Sequence, residues 1–312
     1  MLFAERYWKT LPARTDTLLI MKALSNHPVI RHSHGFAVYV LGNECLEMSL
    51  VPELGGKIIS LKDLRTRREW LWHPKEGLKL FKNHAGDDFS LSPLVGMDEC
   101  LPTILPCQWR QRQLPDHGEV WSQPWQVDQD AWQNGVLAAG LQLPVSPLIF
   151  KRTIELNGNE VRFSYQLSNT AATEERFVWA LHPLLQLADG DELELPDSTR
   201  QLLDGETWIN AVASLIPEKK CAKAFARPVS EGWVAIKNEA AGDRLEFVWD
   251  PAENNTLGLW LTRGGWHGHH HFAIEPTNAN DDSLAVAAGR DHCGRVAGHS
   301  TVAWQLTLRV GV

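Results

Sequence analysis

The sequence predicts an all-β chain folded as one large antiparallel two-sheet β-sandwich, on three observations. From Gly35 onward, short apolar or alternating runs recur, each bounded by Gly, Pro, Asn or Asp. No stretch sustains the ~3.6-residue periodicity of a helix beyond a turn or two. No repeat or linker divides the 312 residues, and a β-domain of this size can close around one core.

Residues 1–35 are mixed and weakly periodic, and are expected as a short helix or outer arm preceding a single domain over 36–312. Phe36–Leu41 and Cys45–Leu50 alternate about Gly42-Asn43, a tight-hairpin signal. Pro52-Glu53-Leu54-Gly55-Gly56 loops into the strand Lys57–Asp63, and Thr66–Arg68 turns into Glu69–His73. Residues 74–116 are rich in Pro, Gly and Asp, and a loop region of that length points to function. Within it, the paired acids Asp98-Glu99 either line a pocket or lie in a solvated loop. Leu148–Leu156 and Glu160–Leu167 alternate strictly about Asn157-Gly158-Asn159, predicting a hairpin with a type I′ turn. A polar loop then leads to Phe177–Leu185, an apolar run ending in His182-Pro183 and read as a buried strand. Asp189–Asp191 and Asp204–Glu206 are turns. Trp233–Lys237, Leu245–Trp249, Leu257–Leu261 and Ser300–Val310 are further strands.

The composition, 44% hydrophobic and 22% charged, is that of a soluble globular protein. A net charge of −8 argues against nucleic acid and anionic membranes as partners. Five scattered cysteines, with no Cys-x-x-Cys, favour a reducing compartment over a disulfide framework. No run approaches the ~20 apolar residues of a membrane span, and Leu18–Met21 is too short for a leader core. A cytoplasmic location is the expectation. Fourteen tryptophans suit both core filling and stacking on sugar rings.

Three short stretches stand out, and in the last two a strand delivers one ionisable residue just before a proline. Pro115-Asp116-His117-Gly118 precedes Trp121, His182-Pro183 ends a strand, and Glu275-Pro276 follows Ala273-Ile274. The candidate groups are His117, His182 and Glu275. Read alone, each group is equally a hydrogen-bonded structural residue. His269 and His271 in the His267–His271 cluster would share a strand face, but no Cys or His-Glu-x-x-His spacing accompanies them, and no metal is expected. Gly-rich nucleotide loops and Gly-x-Ser-x-Gly elbows are absent.

Together, in this order, the three stretches and the opening Leu41–Ile58 hairpin with its Gly-Gly turn resemble the galactose mutarotase (aldose 1-epimerase) family and its hexose-phosphate epimerase relatives, over roughly residues 40–310. The resemblance implies a galactose mutarotase-like supersandwich that interconverts sugar anomers without metal or cofactor, as a monomer or homodimer whose partner is a small-molecule carbohydrate. It implies Glu275 as general base at the anomeric hydroxyl, His182 as general acid at the ring oxygen, and His117 as a second imidazole. A carboxylate beside two imidazoles is expected to favour their protonated form. Trp266, Arg263, Asp98, Glu99 and Trp121 are the candidates for holding the sugar. The family's Asn-Arg pair has no clear match, and its sugar-gripping Asp has two unconvincing ones, Asp204 and Asp243. The rival readings are a non-catalytic sugar-binding or regulatory protein, or another isomerase or lyase acting on a sugar derivative.

Overall fold

The computed structural model describes residues 26–203 and 219–311. Two antiparallel sheets dominate. The nine-stranded sheet runs, in spatial order, His27–Ser33, Phe36–Gly42, Leu46–Val51, Lys57–Asp63, Met97–Cys100, Ala180–Pro183, His270–Thr277, Thr256–Arg263 and Lys220–Ala226. The eight-stranded sheet runs Glu192–Glu194, Trp233–Asn238, Asp243–Trp249, Thr301–Val310, Glu160–Asn169, Leu148–Asn157, Leu137–Gln142 and Gln126–Val127. The strand His27–Ser33 pairs along its whole length with Phe36–Gly42. The sheet therefore begins before the expected boundary at residue 36, and residues 1–25, Leu18–Met21 among them, lie outside the described residues.

Alternation decides which side chains meet between the sheets. Leu181, Leu257, Leu259, Phe272 and Ile274 from the first sheet join Phe150, Phe163, Tyr165, Trp304 and Leu306 from the second in one apolar core. The intervening residues on the first sheet point the other way, onto a face covered by loops and by the short helix Leu284–Gly289.

The hairpin about Asn157 is formed, with Asn157 opposite Glu160. Its turn has positive φ at Gly158 alone, at 59°. That is the glycine-first pattern of a type II′ turn, not the expected type I′. The run Phe177–Leu185 is two strands, Glu175–Phe177 and Ala180–Pro183. Between them Val178 donates to the Pro102 carbonyl and Trp179 to the Asn278 side chain, so pairing passes from the sheet ladder to loops. Asp98-Glu99 is not a loop either: Met97–Cys100 is a fully buried strand in the middle of the sheet.

Candidate active site

Sheet register assembles the site. Asp98 lies opposite His182, and Glu275 opposite Gly258, which in turn lies opposite Phe225. Two residues further along, Ala273, Trp260 and Lys223 form the parallel row. All of these side chains share the sheet face that looks away from the core. Above them lies a cavity of about 280 Å³, lined by His117, His182, Lys223, Trp260, Trp266, His271, Glu275 and Asp282, with Asp88–Ser90 and Asp116 at its edge. A wider depression of about 540 Å³ lies on the eight-stranded sheet around Gly140, Lys151 and Gln305. It gathers no comparable set of acid, base and imidazole groups.

Glu275 is the centre of the arrangement. It is 1% exposed, and neither carboxylate oxygen has a hydrogen-bond partner among the described residues. Its nearest charged or titratable neighbours are His182 Nε2 at 3.5 Å from Oε1 and Lys223 Nζ at 3.7 Å from Oε2. A buried carboxylate left without donors is costly to the fold. Gly258 makes the room: a Cβ there would meet Glu275 Oε2 at 3.0 Å.

His117 enters from a loop whose shape the His-Gly pair dictates. His117 has φ 53° and Gly118 has φ 79°, and a Cβ on Gly118 would lie 2.1 Å from the Leu101 carbonyl oxygen. The imidazole stacks on Phe89 with ring centroids 3.9 Å apart, and its Nδ1 lies 3.0 Å from Asp116 Oδ1. That leaves Nε2 for a ligand. Burial works to raise the Asp116 carboxyl, but the hydrogen bond and charge of His117 and the Phe89 N–H outweigh it and hold the group below the usual carboxylate value.

His182 sits edge-on to both His117 and Phe89, with ring centroids 5.4 Å apart in each case. Burial, then the positive charges of His117, Lys223 and Lys57, hold it well below the ordinary imidazole value. The expected protonated His182 is therefore corrected: near neutral pH this ring is uncharged. His271 is also neutral, pushed down to about 3 by burial first and then by His182, His269 and His270. It is 1% exposed with both ring nitrogens unpartnered among the described residues.

The expected sugar-holding residues divide. Trp266 lines the cavity. Glu99 does not: adjacent strand residues face opposite ways, and Glu99 turns into the core, bound by Arg152, Tyr165 and Trp179 at 2.8, 3.1 and 2.8 Å. Asp98 shares the site face but is covered, paired with buried Lys57. Trp121 is buried behind the site, donating to the Asp116 carbonyl and meeting Phe89 edge-on. Arg263 lies at the end of its strand, opposite Lys220 and His270, and does not line the cavity. Asp243 pairs with Arg68 elsewhere, and Asp204 lies outside the described residues. No group of three or more His, Cys, Asp or Glu suited to a metal ion occurs among the described residues. Lys223, Asp282 and Phe89 complete the site and had no signal in the sequence: which strand lies beside Glu275 is set by sheet order, which no local pattern records.

No family model matches the sequence, and no curated protein matches it. Solved structures do. The chain is similar to the Slr1438 protein from Synechocystis, at 18% identity and TM-score 0.67 over 88% of this chain and 95% of that one. It is similar to a galactose mutarotase-like protein from Clostridium acetobutylicum, at 15% identity and TM-score 0.68 over 93% and 99%. A candidate aldose 1-epimerase from Escherichia coli K12 matches at 14% identity and TM-score 0.67 over 88% and 99%. The chain therefore has the galactose mutarotase-like fold.

Proposed function

We propose that the protein is an aldose 1-epimerase-like isomerase, interconverting the α and β anomers of a cyclic sugar. The observation that carries this reading is Glu275, a buried carboxylate without hydrogen-bond donors among the described residues, facing a cavity that also holds three imidazoles. Anomerisation needs a base for the anomeric hydroxyl proton and an acid for the ring oxygen. The ring opens, rotates about C1–C2 and recloses with the two roles exchanged. Each positioned acid or base contributes roughly 10²–10⁴-fold.

Glu275 is the base. Of the imidazoles, His117 is the acid: Asp116 Oδ1 at its Nδ1 fixes the ring and leaves Nε2 for the sugar. His182, uncharged and wedged between Glu275 and His117, orients the ring oxygen through a neutral hydrogen bond. Trp260 and Trp266 offer faces for the sugar's C–H surface.

The test is NMR exchange between anomers over a panel of hexoses, hexose 6-phosphates and sugar acids. Wild type is expected to accelerate exchange for one class, with Glu275→Gln and His117→Asn each slower by at least ~10²-fold. Binding without acceleration in the wild type would instead make this a sugar-binding protein.

A further inference from the structure

We propose that Lys223, anchored by Asp282, is a positioning residue that fixes the charge and the direction of the Glu275 carboxylate; this rests on the epimerase reading for its catalytic meaning. Lys223 Nζ lies 2.7 and 2.8 Å from the two Asp282 oxygens and 3.7 Å from Glu275 Oε2. Asp282 is itself pinned, since its backbone carbonyl accepts from Ile104, Leu105 and Thr103. The ammonium therefore cannot swing away without breaking a double hydrogen bond. It reaches Glu275 past Gly258, whose missing side chain keeps the space between the Glu275 strand and Phe225 open. The other titratable groups around Glu275 are His271 from its own strand, His182 from the adjacent strand, Cys100 from the strand beyond it, and His117 and Asp282 from the covering loops. Cys100 is a buried thiol held well above its ordinary value by burial first, and burial holds His182 and His271 below theirs, so Lys223 is the cation fixed there by a double hydrogen bond. Burial works to lower the Lys223 ammonium, and the Glu275 and Asp282 carboxylates overcome it and raise the group.

A base works only while ionised, so activity falls as pH drops through its titration. Removing the neighbouring cation makes the buried carboxylate easier to protonate and moves that acid limb upward. Removing the competing carboxylate moves it downward. The experiment is the pH dependence of kcat/KM for anomer exchange in wild type, Lys223→Met, Lys223→Arg and Asp282→Asn. Lys223→Met is expected to shift the acid limb up by about one unit or more, Lys223→Arg to restore it, and Asp282→Asn to shift it down. In parallel, the Glu275 carboxyl is titrated by 13C NMR in the same variants, which requires no turnover. An unmoved Glu275 titration in Lys223→Met overturns the proposal. A moved titration in a protein that accelerates no anomer exchange overturns the epimerase reading and leaves the role of Lys223 standing. Should Lys223→Met fail to fold, the downward shift in Asp282→Asn decides, and its absence overturns the proposal.

Discussion

At the scale of single residues, the site is made of groups whose ordinary solvation has been withheld. His271 shows what that costs. Its folded value of about 3 lies below the 6.5 of an exposed imidazole. The unfolded chain therefore binds the proton first, so stability is full above pH 6.5 and declines as pH falls toward 3. His182, held down in the same direction, adds to the slope. Between pH 7 and 5 the urea midpoint should drop, and His271→Gln should flatten part of that drop, by up to about 1.4 kcal/mol per pH unit below 6.5. An identical slope in the variant would show that His271 is already solvated. The three residues at the heart of the reading, His117, His182 and Glu275, were legible because each stands beside a residue that fixes local geometry: Gly118, Pro183 and Pro276. Lys223 and Asp282 stand beside nothing of the kind. Asp98 and Glu99 misled for the opposite reason, since paired acids look solvated until the strand they occupy is seen to be covered on both faces.

At the scale of strands, the placement of Glu275 depends on what its neighbour lacks. Gly258→Ala would put a methyl group 3.0 Å from Glu275 Oε2 and 3.3 Å from Phe225. The carboxylate must then give way slightly, and misplacing a catalytic group costs rate steeply, roughly 10²-fold for about 1 Å. We expect Gly258→Ala to lower kcat/KM by tenfold to a hundredfold (about 1–3 kcal/mol) while thermal unfolding changes little. Unchanged kinetics would mean that Glu275 has slack the register does not suggest. The hairpins were readable because their turns and alternation are local, as at Asn157–Glu160. The break at Val178-Trp179 was not, because it is made by Pro102 and Asn278, which lie far away in sequence.

At the scale of the whole molecule, the two sheets are joined by a buried polar network as well as by the apolar core. Glu99 of the first sheet receives Arg152 and Tyr165 of the second, and Arg152 also donates to the Gly56 carbonyl and lies over Trp125. Deleting one partner strands a charge between the sheets, so Arg152→Met should cost about 3–5 kcal/mol in urea unfolding. Adding Glu99→Leu should recover much of that loss, and additive losses would place the two groups in separate networks. Among the described residues, every side chain lining the cavity comes from the nine-stranded sheet or the loops that cover it, and none comes from the eight-stranded sheet. Substitutions in the second sheet consequently change how much folded protein a cell keeps, and substitutions in the first change what each folded copy does. Selection can act on these two properties separately, and the eight-stranded sheet is left open to neutral drift as long as the core stays filled.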